Sequence, residues 1–174
     1  IESRTAKHIS EKMDEDPAFY KKFSQLLKDV IDEYEAGRIS SAERLKRSQE
    51  IMTNVLAHTD NDIPEQLINR DIAKAFYGLT IEALSQNFTD QTISKHVSIQ
   101  TALQIDDLIQ KYVLDNGKPI VDWQYKTNIT GKLLIEIGDY LIDEVRDKYN
   151  VELSFMETDK IAESCIEVAK LRYK

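Results

Sequence analysis

A chain of 174 residues, 41% apolar and 31% charged, can bury a core without disulfide or metal staples and is too apolar to be disordered. The formal net charge of −8 argues against nucleic acid as a partner for the surface as a whole, so any DNA contact needs a local basic patch. The one cysteine, Cys165, has no internal disulfide partner, which points to a reducing cytoplasm, and no apolar run approaches the roughly 20 residues of a membrane span.

With five glycines and three prolines, sharp turns are few. Long helices on short loops are expected, not a many-turned sheet. Ile1 to Met13 reads as a weak helix, with Ala6, Ile9 and Met13 on one side, continuing from an upstream helix. The chain opens Ile1-Glu2-Ser3 and is expected to be a piece of a longer protein. Asp16-Pro17 starts the next helix with an acceptor at the N-cap and proline at the first helical position. Phe19, Phe23, Leu26, Leu27, Val30, Ile31 and Tyr34 follow at helical spacing, and Gly37 ends it. Ser40 to Glu43 reads as a capping box, and the helix behind it turns Leu45, Met52, Val55 and Leu56 toward the core. Its outer face holds Arg44, Lys46, Arg47 and Glu50.

Pro64 opens a fourth helical stretch, broken near Asn69 and resumed through Ile72, Phe76, Leu79 and Leu84. A long helix from about Thr92 to Asp115 is stopped by Asn116-Gly117. Lys118 to Thr127 is a loop containing Pro119 and Trp123, and another helix runs from about Asn128 to Tyr149. Val151 to Phe155 alternates like a strand but has nothing to pair with, so it reads as extended loop. Thr158-Asp159 caps the last helix. The expectation is one all-α domain over residues 1–174, with six or seven helices and little or no sheet.

Catalytic constellations are not evident. The glycines are dispersed, and none forms a phosphate-cradling loop. His8, His58 and His96 lack metal-ligand spacing. The pairs Asp32-Glu33, Asp106-Asp107 and Asp143-Glu144 point about 100° apart on their helices, so they read as solvated faces. Cys165 has no histidine nearby and reads as a buried small side chain. No catalytic, cofactor or metal residue is therefore assigned.

The positive signals are basic islands on an acidic background. Arg38, Arg44, Lys46 and Arg47 form one; Lys118, Lys126 and Lys132 around Trp123 and Tyr125 form a second; Lys170, Arg172 and Lys174 form a third. They suit phosphate or acidic-partner contact, or plain solubilising charge. The third also suits cations complementing a helix C-terminus. Trp123 beside Asp122 is either an anchor pinning its loop to the core or a partner-contact hot spot.

Several segments in order carry a resemblance: Asp16-Pro17-Ala18-Phe19-Tyr20, Tyr34 to Ile39, Ala73 to Tyr77, Val121-Asp122-Trp123 and Ala169 to Tyr173. Together they resemble the C-terminal helical region of the motor (R) subunit of type I restriction–modification enzymes. The likeness spans about Asp16 to Tyr173 and is weaker over 53–69 and 80–114. It implies a non-catalytic module of a bacterial, cytoplasmic complex. Such a module would assemble with the methyltransferase and specificity subunits and contact double-stranded DNA. ATP and Mg²⁺ would be bound elsewhere in the parent subunit, the ATP-dependent translocase and endonuclease, and the membrane would have no part. The alternative is a helical protein–protein adaptor of another bacterial assembly with no DNA role. An enzyme of helical fold would need a pocket gathering His96 or paired acids.

Overall fold

The computed structural model describes residues 1–174, and the architecture is all-α. Seven helices run in order: α1 (Glu2–Lys12), α2 (Pro17–Glu35), α3 (Ser41–Ala57), α4 (Asp71–Leu84), α5 (Gln91–Val113), α6 (Thr127–Tyr140) and α7 (Phe155–Arg172). A π-helical stretch, Leu141–Asp147, extends α6. The sheet is one two-residue pair, β1 (Leu114–Asp115) and β2 (Lys118–Pro119). The chain gathers into two compact units, Ile1–Ile63 and Pro64–Lys174, each with its own apolar core.

In the first unit, α2 begins as its sequence requires. Asp16 caps it by accepting from the Phe19 N–H, with Pro17 in the first turn. The same buried carboxylate meets His58 Nε2 at 2.9 Å, and the His58 ring lies against Phe19 and Tyr20. One side chain thus ties the start of α2 to the end of α3. His58 sits there at φ 50°, in the left-handed position that closes a helix. Gly37, at φ 70°, follows the C-cap Ala36 of α2.

The face of α3 differs from expectation. Ser48, Ile51 and Val55 are buried, whereas Leu45 and Leu56 remain 50% and 62% exposed. The cause lies on α1. Glu2 accepts from Arg44 (2.8 and 2.5 Å) and from the Ser48 hydroxyl (2.9 Å), which seats α1 over the Arg44–Ser48–Ile51–Val55 ridge. The expected row of Leu45, Met52, Val55 and Leu56 is split: Val55 is covered, and Leu45 and Leu56 are not. Ser40 caps α3 through the Glu43 N–H.

In the second unit, Pro64 opens only a short 3₁₀ turn, Glu65–Leu67, before α4. α5 packs along α4 through small residues, with Ala75, Thr80, Ser94, Ser98 and Ala102 all buried. The Thr80 hydroxyl bonds the Ser98 carbonyl. Asn116-Gly117 does more than stop α5. Both residues have positive φ (50° and 76°), so the chain reverses into a hairpin pairing Leu114 with Pro119 and Asp115 with Lys118. Asn-Gly supplies the left-handed pair that such a two-residue turn demands. α7 starts earlier than expected. Ser154 is its N-cap, in a reciprocal capping box with Glu157, and Thr158 lies buried within the helix.

The centre of this unit's polar framework is Asp106. It belongs to a pair expected to be solvated, yet it is buried. Arg70 donates to it at 2.9 and 2.6 Å, Gln110 donates at 3.1 Å, and the Tyr173 hydroxyl donates to its other oxygen. Tyr173 also accepts the Trp123 indole N–H on its backbone carbonyl at 2.7 Å. Burial disfavours the Arg70 charge, but the Asp106 and Asp107 carboxylates outweigh it and hold its pKa above the ordinary arginine value. Burial first, and then the Asp106 bond, push the Tyr173 phenol up.

Two substitutions separate this framework from the apolar pattern. Tyr173→Phe strands one Asp106 oxygen in the interior and is expected to cost about 1–3 kcal/mol. Leu56→Ser, on the stripe that periodicity assigns to the core, is expected to stay within about 0.5 kcal/mol of wild type. Urea denaturation monitored by circular dichroism checks both.

Candidate functional site

The first basic island does not stand as a free cationic patch. Arg44 is bidentate to Glu2 and stacks over the Tyr34 ring, 4.5 Å from its centroid, so it links α1, α2 and α3. Arg47 pairs with Glu33 of α2 at 2.6 Å. Bonds from Arg44 hold the Glu2 carboxyl below the usual range, and bonds from Arg47 do the same for Glu33. Arg38 and Lys46 are exposed and make no ion pair. Of the four residues, two are structural ties within the first unit and two are open cations.

The third island is also partly spent inside the fold. Lys170 pairs with Glu167 at 2.7 Å, and Arg172 reaches Asp71 of α4 at 2.6 Å.

The second island keeps more of its charge. Lys132 pairs with Glu136 one helical turn on, at 3.2 Å, and this holds the lysine pKa up and the glutamate pKa down. Lys118, on β2, and Lys126, at the start of α6, are exposed and have no carboxylate partner. Between them Val121 is 77% and Tyr125 84% exposed.

Trp123 is corrected as a contact residue. It is fully buried, with its N–H committed to Tyr173, so its ring is the anchor of the loop and no part of the outer surface. What it anchors is the 3₁₀ turn Trp123–Tyr125, entered by Asp122 at φ 56°. That strained entry faces Val121 and Tyr125 outward while the indole points in. Sequence reasoning does not single out Val121 and Tyr125 as exposed apolar neighbours, because an apolar residue in a loop gives no sign of which way it faces.

No group of three or more His, Cys, Asp or Glu side chains converges as a metal site. His96 is exposed on α5, and His8 is half-buried on α1. Cys165 is completely buried, and loss of solvent pushes its thiol up to about 12. No helix is long and apolar enough to cross a membrane. The loop carrying Lys118, Val121, Tyr125 and Lys126 is accordingly the candidate interface of the second unit. It offers two unpaired cations and two apolar side chains on a rigidly pinned turn.

The bond between Glu2 and Arg44 gives a defined pH dependence. The folded pKa of Glu2 is depressed, so its contribution is complete above the ordinary value of 4.5 and fades as pH falls through the lower folded value. The stability gap between wild type and Glu2→Gln is expected to be open near neutrality and to close on acidification; urea midpoints at a series of pH values measure it. Cys165 is expected to resist alkylation by iodoacetamide at about pH 8 in the folded protein and to react on unfolding, since the thiolate is the nucleophile. Mass spectrometry reads the adduct.

Compared with protein-family models, with curated proteins and with solved structures, the chain gives no match.

Proposed function

We propose that this chain is a non-catalytic module of the motor subunit of a type I restriction–modification enzyme. It would join that subunit to the methyltransferase–specificity core and guide double-stranded DNA during ATP-dependent translocation and cleavage by the whole bacterial, cytoplasmic complex. ATP and Mg²⁺ would act in other parts of the subunit. The ordered segments from Asp16 to Tyr173 support the family reading. The observation that carries the DNA role is the pinned loop, where Lys118 and Lys126 are exposed and make no salt bridge, on a chain of net charge −8. Free lysines suit phosphate contact without base reading, as a translocating enzyme requires.

A second reading is a helical protein–protein adaptor with no DNA role. The exposed apolar residues of α3 and the net charge of −8 favour it.

Charge reversal at Arg44 or Arg47 would disturb the packing of α1 and α2 as well as any DNA binding. The informative variant is Lys118→Glu with Lys126→Glu, which touches no ion pair. In the assembled enzyme it is expected to weaken DNA binding and to reduce the slope of log affinity against log salt by about 2, roughly one for each phosphate that a lysine no longer neutralises. Unchanged DNA binding with intact assembly would remove the DNA role. Deleting the segment from the full subunit is expected to abolish complex formation with the methyltransferase core, and normal assembly without it would reject the family role.

A further inference from the structure

The turn that carries Tyr125 is fastened to a residue 50 positions away in the chain. Within it, the N–H groups of Trp123, Tyr125 and Lys126 donate to the carbonyls of Ile120, Asp122 and Trp123. Val121, Asp122, Tyr125 and Lys126 face solvent. Trp123 turns inward, is fully buried, and donates its indole N–H to the Tyr173 carbonyl at 2.7 Å. Asp122 enters the turn at φ 56°, a conformation that is costly for a residue with a side chain and is held by its surroundings. The form of the turn therefore depends on what fastens it.

Tyr173 can offer its carbonyl because it stands just past α7, where the last carbonyls of a helix lack intrahelical donors. The residue is itself seated from several sides. Its phenol hydroxyl donates to Asp106 of α5, its N–H donates to the Ala169 carbonyl at 2.8 Å, and the preceding Arg172 reaches Asp71 of α4 at 2.6 Å. Tyr173 thus holds α5 through its side chain and the Trp123 turn through its backbone. Once the phenol leaves Asp106, the carbonyl has no fixed place at which to receive the indole. The packing of α6 on α7 through Leu133, Ile137, Cys165 and Ile166 does not use that bond.

We propose that Tyr173 is a latch on this turn: the stretch just past α7 and the turn Trp123–Lys126 open and close together, as one small cooperative unit, while the packed helices of the second unit stay folded. The closed state dominates, because opening exposes the indole and takes a donor from buried Asp106. The latch stands whether or not the loop meets DNA. A partner that grips Val121 and Tyr125 in the closed form stabilises the latch by as much as the latch stabilises its binding, since coupling between two sites is reciprocal.

The test is amide hydrogen exchange of the full chain, read by nuclear magnetic resonance at low urea concentrations. In the wild type, the amides of Trp123, Tyr125, Lys126 and Tyr173 are expected to share one opening free energy and one urea dependence. Both are expected to be smaller than those of Ile105 and Ile109, which are fully buried in α5. Tyr173→Phe removes the bond to Asp106 and is expected to speed exchange at all four amides by the same factor, about 5-fold or more. The amide of Glu157, bonded to Ser154 at the far end of α7, is expected to keep its rate. Unchanged exchange at Trp123, Tyr125 and Lys126 in this variant would overturn the proposal, because the turn would then open without the latch. A wild-type turn that opens at a different free energy from Tyr173, or only together with Ile105 and Ile109, would overturn it as well. The wild-type measurement decides alone if Tyr173→Phe does not fold.

Discussion

The second unit depends on a buried carboxylate that has donors for both of its oxygens. Asp106 sits inside α5 and is met by Arg70, Gln110 and Tyr173. A charge in that position is tolerable only while those donors stay in place, because an uncompensated buried carboxylate costs several kcal/mol. Gln110 comes from the next turn of α5 itself, whereas Arg70 comes from the approach to α4 and Tyr173 from just past the end of α7. Satisfying one carboxylate therefore specifies where two other segments must lie against α5. Tyr173 then passes the constraint on through its carbonyl, which receives the Trp123 indole and fixes the loop between β2 and α6. The last helix and the candidate interface loop are consequently one mechanical piece, with Trp123 as the joint.

The first unit is organised by the same principle at lower burial. Arg44 joins Glu2 of α1 to the Tyr34 ring of α2 from its seat on α3, and Asp16 joins the cap of α2 to His58 at the end of α3. These ties are oriented, whereas the apolar packing among Phe19, Phe23, Val30 and Val55 is adaptable. Direction is what places α1 over the Ser48, Ile51 and Val55 side of α3. Leu45 and Leu56 are left at the surface.

Charge on this molecule is thus allocated unevenly between structure and surface. Arg44, Arg47, Arg70, Arg172 and Lys132 hold carboxylates of the same unit. Lys118, Lys126, Arg38, Lys46 and Arg4 do not. Counting basic residues along the chain merges the two groups. A cation already holding a neighbouring carboxylate presents little field to a phosphate, so the unpaired residues are the ones that bear on partners.

Helix number, most helix starts and the all-α class could be read from residue order alone, because they depend on interactions within a few residues. Asp16-Pro17, Ser40 with Glu43, and the i, i+4, i+7 rows of α2 and α6 act within a turn or two. Asn116-Gly117 also carried its hairpin locally, and a reading as a helix stop alone understated it. Segment order supplied the proposed family, and residue chemistry marked the basic islands. Tertiary structure decided what depends on partners distant in the chain. It buried Asp106 and left its neighbour Asp107 exposed, enclosed Trp123 while turning Tyr125 outward, and covered Ile51 while leaving Leu56 bare. The physical reason is common to all three. Periodicity defines which residues share a face, but which face is covered and which charge is neutralised depends on donors and acceptors tens of residues away, such as Glu2 for α3 and Tyr173 for α5.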